Sequence, residues 1–366
     1  RVQNHPIYPL SSDIVDELAA TFPDVATELG ITGHDDRWSD LSPDGAAAAL
    51  DSIRSMRNKV ERLPAAENDW DRVAIELAKV TLEEEASRFE HEDHLRDLNS
   101  MASSLQSMRE IWDHMGTETE QDWANIAARL EGLPAALDGY RATLDLGRTK
   151  GMAVALRQVE AAIEQCRVSA GAGSRLAKLG DKYEGVFVGG PQAGRIAAAV
   201  RAAREAFSSL GNYFADTYAA AAAERDGVGE ERYVRAAYEF LGTTIDPVST
   251  YEWGWAQIAE LAAHMKSVAA EILPGATMAE VDELLRTDPE RTVSDSAALS
   301  AFIQQRLDDA LDRLNGTHFD VPDPIRTVTV NIAPPGSSLG AYYVGPSEDF
   351  ARPGSVWWSL VPDGPY

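Results

Sequence analysis

Cysteine is almost absent from this sequence, which holds one thiol, Cys166, in 366 residues. A single thiol excludes an internal disulfide framework and a cysteine-based metal site. It lies in a helical run, 153–169, where a small buried side chain is the simplest interpretation. A chain without disulfides is typical of a reducing compartment, so we predict a cytoplasmic location.

Positive charge is scarce as well. The chain has 33 Lys and Arg against 59 Asp and Glu, a net charge of −26, and alanine is abundant. A nucleic-acid duplex or an anionic membrane surface would repel such a chain. We therefore predict no nucleic-acid partner and no membrane partner.

Long apolar runs are also lacking. No stretch approaches the roughly 18–20 apolar residues that span a bilayer, and residues 1–8 contain no apolar segment of a signal peptide. The sequence begins with Arg and not Met. We therefore expect a fragment, a processed form or a trimmed chain.

What the sequence does contain, over its first 315 residues, is helical periodicity. Ser42-Pro43-Asp44 is a helix start, and the apolar positions that follow recur at helical spacing. Pro134 should kink or divide the helix that contains it. The predicted helices are 46–63, 70–94, 105–115, 122–146, 153–169, 192–223, 232–241, 249–272, 278–286 and 294–314.

After Arg326 the period changes to that of strands. Residues 327–332, 341–344 and 355–361 are rich in β-branched and aromatic side chains and are separated by Pro-Gly turns such as 334–336. The predicted fold is mainly α, a large multi-helix body with a small antiparallel β-meander near the C-terminus. Glycines cluster at 170–191, so we divide the chain into helical lobes 1–180 and 181–324 and a sheet region 325–366.

Few residues suggest chemistry by their spacing. His91 and His94 are three apart with Glu92 and Asp93 between them. Helical zinc hydrolases place two histidines four apart, and no third ligand is evident here, so a solvated helix end is the better interpretation. No metal ligand is assigned, and the glycine-rich segment 185–194 lacks the spacing of a phosphate loop.

The aromatic residues of the predicted strands are more informative. Successive side chains on a strand point to opposite faces, so one of Tyr342 and Tyr343, and one of Trp357 and Trp358, must face away from what the other packs on. Either both faces of the sheet are covered, or one aromatic face lines a groove. An exposed apolar strand invites aggregation, so we expect further polypeptide to cover it.

Four segments together resemble a bacterial family called domain of unknown function 885. They are 29–43 (LGITGHDDRWSDLSP), 251–254 (YEWG) with the helix ending in 271–275 (EILPG), 317–322 (THFDVP), and 341–347 (AYYVGPS) followed by 352–354 (RPG). The resemblance covers the chain from about residue 5 to its end. It implies a largely helical, zinc-dependent peptidase with a small sheet beside its cleft.

The metal-binding segment of that family, a His-Glu…Pro-Gly-His-His stretch, would follow the strands and is not in this sequence. No catalytic residue and no zinc ligand can therefore be carried over, and this chain alone is predicted to bind no zinc and to be inactive. The resemblance suggests Tyr342 and Tyr343 for contact with a peptide-like substrate or for oxyanion support, and more weakly Arg352 for a substrate carboxylate. The missing C-terminal segment of the same protein is the other expected partner.

Three functional hypotheses remain open. The first is the N-terminal part of a zinc-dependent peptidase-like hydrolase that needs zinc when full length. The second is a non-catalytic helical scaffold or binding module that kept the fold without the metal. The third, a helical cofactor protein, would use His91 and His94.

Overall fold

The computed structural model describes residues 4–333, 340–347, 349–360 and 366. The chain divides into two compact units, 1–227 and 228–366. Predicted boundary 180 lies inside the first unit, because the helix that begins at Arg175 and the helix that follows it share one core with the preceding helices. The glycine cluster is therefore not a junction between the compact units.

The first unit contains nine α-helices within the described residues. Short 3₁₀ turns follow α4 and α5, and α9 continues into a π-helical turn, Phe214–Tyr218. The helices are α1 Ile7–Thr21, α2 Pro23–Leu29, α3 Pro43–Glu61, α4 Asp69–Glu90, α5 Ser104–Glu110, α6 Glu120–Thr149, α7 Leu156–Ala170, α8 Arg175–Val186 and α9 Ala193–Tyr213.

The long helix α6 is the centre of the larger of two apolar clusters. Trp123, Leu133 and Leu144 are fully buried there against side chains of α7, α8 and α9. Pro134 lies inside α6, which continues from Glu120 to Thr149, so the proline does not divide this helix, and the alternative of a kink stays a prediction. We attribute this to core packing on both sides of the proline, which offsets the hydrogen bond that it removes.

The second unit contains the remaining helices and the sheet. Its elements are α10 Glu230–Leu241, α11 Pro247–Ile272, α12 Met278–Thr287, α13 Ser296–Leu314, β1 Val328–Ile332, β2 Ala341–Val344 and β3 Gly354–Trp358. The mainly helical class with a small C-terminal sheet is confirmed. The predicted turn at 334–336 and the end of the last predicted strand at Val361 lie outside the described residues.

The three strands do not form a meander. Their order is β1-β3-β2, with β3 parallel to β1 and antiparallel to β2. The prediction of an antiparallel meander is wrong in this respect. Strand positions follow from local composition, whereas the insertion of β3 between the other two depends on contacts between residues distant in sequence.

Candidate functional site

The strand register decides how the aromatic side chains of the sheet are shared between its faces. Tyr342 on β2 lies opposite Trp357 on β3, which in turn lies opposite Asn331 on β1. The Tyr342 and Trp357 rings are stacked, with centroids 6.2 Å apart and planes 4° apart. The Trp357 indole N–H donates to Ser355 Oγ at 3.0 Å, which fixes the orientation of the indole.

Tyr343 and Trp358 lie on the other face of the sheet, as the alternation predicts. Tyr343 lies opposite Val356, and its hydroxyl lies over Gly354, where a Cβ atom would overlap it. Glycine is therefore the residue that allows the Tyr343 ring to lie along β3. Both tyrosines keep substantial exposure, 36% for Tyr342 and 57% for Tyr343, so each face presents an aromatic ring.

One outer edge of the sheet is occupied by a helix. On α13, the Gln304 side chain donates to the Val328 carbonyl and accepts from the Val330 N–H, both at 2.9 Å. Ser300 adds a longer bond to the Val330 carbonyl, 3.4 Å. The amide of Gln304 therefore takes the place of a neighbouring strand along β1, which reduces the tendency of this edge to pair with another chain.

The opposite edge, formed by β2, has a different character. Ser359 N–H donates to the Gly340 carbonyl at 2.8 Å, so the backbone groups of Gly340 point toward β3. Because orientation alternates along an antiparallel strand, the N–H and C=O groups of Ala341 and Tyr343 point outward. No other strand of the described residues pairs with this edge.

Arg352, the third predicted substrate contact, lies in the turn between β2 and β3. Its N–H donates to Ser347 Oγ at 2.9 Å, and its carbonyl accepts from the Ser347 N–H at 3.0 Å. Ser347 also donates to Asp349, and this bond, with a second from the Ala351 N–H, lowers the pKa of the Asp349 carboxyl. The backbone of Arg352 is thus held by Ser347, and its side chain stays a predicted substrate contact.

The histidine pair lies in the first unit. His91 ends α4, and its Nδ1 lies 3.1 Å from the Ser87 carbonyl oxygen. His94 packs on the ring of Phe89, and burial lowers the pKa of its imidazole. Across the described residues, no group of three or more His, Cys, Asp and Glu side chains is arranged to hold a metal ion.

Sequence reasoning missed the residue that organises segment 29–43, the first of the four that carry the family resemblance. Arg129 on α6 is fully buried and donates to the carbonyls of Pro23, His34 and Arg37 and to Thr27 Oγ1, at 2.8–3.3 Å. Its guanidinium also lies over the Trp38 ring, 5.3 Å from the centroid. This segment therefore has a structural role. The one sequence signal for that role is the presence of an arginine on an otherwise apolar face of α6.

The fold is thus that of a mainly helical protein with a C-terminal mixed sheet, one edge of which pairs with no strand of the described residues. The chain belongs to the family described as "Bacterial protein of unknown function", DUF885, which matches residues 23–364. No protein with a curated description matches the sequence. Among the described helices, none has the length and apolar character needed to cross a bilayer.

Solved structures share this fold at low sequence identity. The putative lipoprotein from Colwellia psychrerythraea is 15% identical with a TM-score of 0.79, over 98% of this chain and 67% of that chain. A putative lipoprotein of unknown function from Shewanella oneidensis is 13% identical with a TM-score of 0.64, over 97% of this chain and 64% of that chain. This chain therefore spans about two thirds of the length of these structures.

Proposed function

We propose that this chain is the N-terminal part of a zinc-dependent peptidase-like hydrolase, and that the outer edge of β2 binds the extended backbone of a peptide substrate. The observation that carries the substrate part is the outward orientation of the Ala341 and Tyr343 backbone groups. Two residues on one side of a strand are about 7 Å apart, the spacing at which an extended peptide offers matching groups.

The aromatic rings beside this edge suit the same role. An added strand would continue the two faces of the sheet, so its alternate side chains would meet Tyr342 on one face and Tyr343 on the other. The opposite edge is unsuitable, because Gln304 already holds the backbone of β1. The sheet thus has one edge, that of β2, at which a peptide could bind as an added strand.

The described residues do not fit a zinc site, because they contain no suitable group of ligands. The proposal therefore assigns the zinc ligands to the part of the family fold that this chain does not span. It assigns no chemical step to a residue of this chain. In this proposal, the role of residues 1–366 is to bind and align the substrate.

Substitution of Ala341 tests the edge. Ala341→Pro removes one outward N–H and leaves the bonds to β3 in place, while Ala341→Val keeps the N–H at similar bulk. Loss of one hydrogen bond of about 1.4 kcal/mol should weaken binding of fluorescein-labelled hexapeptides about tenfold, as measured by fluorescence polarisation. Equal affinities of the proline and valine variants would contradict strand addition.

The hydrolase part needs the protein translated from its natural start to its natural stop. We expect that protein to contain one zinc per chain and to cleave the bound peptides until a chelator is added. Residues 1–366 alone should bind peptides without cleaving them. Peptide binding by a zinc-free, inactive natural protein would instead establish the non-catalytic binding module.

Location is a further part of the proposal. The single cysteine predicts the cytoplasm, but the two solved relatives are described as putative lipoproteins, which favours the cell envelope. We therefore propose an envelope location in place of the cytoplasmic one. Fractionation of the source bacterium, with an antibody against this chain, tests it, and recovery in the cytosolic fraction alone would contradict it.

A further inference from the structure

The helix α11 carries an apolar stripe that no other described element of the second unit covers. Its members recur at alternating spacings of three and four residues, so they lie on one side of the helix. The large side chains of the stripe are 55–67% exposed, and the Tyr251 and Trp255 rings are in edge contact, with centroids 6.1 Å apart. The stripe consists of Val248, Tyr251, Trp255, Ile258, Ala262 and Met265.

The stripe is long, and the unit that carries it has little core of its own. From Val248 to Met265 it extends about 25 Å at 1.5 Å per residue. In the described part of the second unit, the buried apolar residues are Ala269, Val281 and Ala333. In the first unit, by contrast, helices of similar length bury their apolar faces in two large clusters. The apolar stripe of α11, which in the first unit would be part of a core, is therefore exposed in the second unit.

We propose that the α11 stripe is an interface for an amphipathic helix belonging to the part of the family fold that this chain does not span. The solved relatives align with 98% and 97% of this chain, yet about a third of each lies outside the alignment. A straight stripe of this spacing matches the apolar face of a second helix. The inference rests on the proposed function only in taking this chain as part of a longer fold.

Charge argues against two other occupants. On α11 the side chains of Glu252, Glu260 and Glu271 outnumber that of Lys266, and the whole chain carries −26. An anionic lipid surface would repel this helix. A second copy of the chain would bring two strongly acidic bodies together, which long-range repulsion opposes.

Cysteine labelling can test the interface because the native thiol is inert. Cys166 is fully buried, and burial raises the pKa of its thiol to about 12. Within residues 1–366, a cysteine introduced on the surface is then the one reactive thiol, and peptide mass spectrometry reads its labelling separately in the natural protein. Ala262→Cys places it on the stripe, and Ala198→Cys places a matched control on an exposed face of α9.

Each variant is made as residues 1–366 and as the protein translated from its natural start to its natural stop. With a maleimide reagent, both variants of 1–366 should react at similar rates. In the natural protein, Ala262→Cys should react at least tenfold more slowly at all protein concentrations, while Ala198→Cys is unchanged. That result supports the interface whether or not zinc is bound or a peptide is cleaved.

Three results would overturn the inference. The first is equal labelling of the two cysteines in the natural protein, which includes the case in which translation stops at Tyr366. The second is protection that appears only as protein concentration rises, which would indicate a second copy. The third is protection of residues 1–366 on addition of phosphatidylcholine vesicles, which would indicate a lipid surface.

Discussion

Replacement of Arg129 by methionine should destabilise the first unit by about 3–5 kcal/mol, because several acceptors of a buried polar network lose their donor at once. Methionine fills similar space but cannot donate. The Pro23 carbonyl and the Thr27 hydroxyl, which accept from Arg129 at 3.3 and 3.0 Å in buried bonds, would then lose that donor. The part-buried carbonyls of His34 and Arg37 would lose it as well. Each orphaned acceptor costs about 1–3 kcal/mol, and loss of the contact with Trp38 adds about 1 kcal/mol.

One effect opposes this loss. The Arg129 guanidinium is desolvated, which lowers its pKa, and its Nη1 has no hydrogen-bond partner within the described residues. Removing it therefore recovers part of the cost of burying a cation. The acceptors left behind outnumber that single unsatisfied donor, so the net change remains a large destabilisation.

Urea unfolding of residues 1–366, followed by tryptophan fluorescence and by circular dichroism, measures this change. Arg195→Met is the matched control, because Arg195 pairs with Glu131 at 2.7 Å on a solvated surface and its loss should cost at most about 1 kcal/mol. An Arg129→Met variant as stable as this control would refute the structural role of the network. Hydrogen exchange should also accelerate in segment 29–43 and not in α9.

Three further predictions concern packing, the sheet edge and pH. Gly147→Ala should lower the free energy of unfolding of the first unit by about 1–3 kcal/mol, because the added Cβ would overlap the Leu95 carbonyl. Gly180→Ala, in open space on α8, should raise it by about 1 kcal/mol. Equal changes in urea unfolding would contradict this difference. Gln304→Ala should speed hydrogen exchange in β1 about tenfold and leave β2 unchanged, because it uncovers one edge alone. Burial raises the pKa of the Glu28 carboxyl, so the stability that its protonated form gives at low pH is lost as pH rises through this raised pKa. Glu28→Gln should therefore reduce the fall in urea midpoint from acid to neutral pH, and parallel pH profiles of the two proteins would contradict this.

Helix positions could be predicted because their signals are local. The predicted helix 278–286 is observed as Met278–Thr287, and 249–272 is observed as Pro247–Ile272. Helix α8 is not among the predicted helices, because the glycine cluster at 170–191 indicates a boundary between lobes. Leu176, Leu179 and Tyr183 are buried on one side of it, so packing against the core overrides that local preference.

The sheet shows where prediction from sequence stops. Alternation along a strand placed Tyr342 and Tyr343 on opposite faces, because that rule needs no knowledge of the neighbours. The sequence could not show which edge of the sheet is open. That depends on the Gln304 side chain, which lies 24 and 26 residues before the backbone groups it binds.

The second unit has two surfaces of different chemical kinds that no other described element of that unit covers. The β2 edge offers directional backbone hydrogen bonds, which an extended peptide of many sequences can satisfy. The α11 stripe offers apolar side chains at helical spacing, which an extended peptide cannot match along its length. A substrate must dissociate after each binding event. Strand addition through the backbone groups of Ala341 and Tyr343 alone is weak enough to permit this dissociation. A stripe of large apolar side chains about 25 Å long suits a permanent neighbour instead. The Ala341→Pro and Ala262→Cys experiments can therefore fail independently, and failure of both would leave the first unit as the place to search for function.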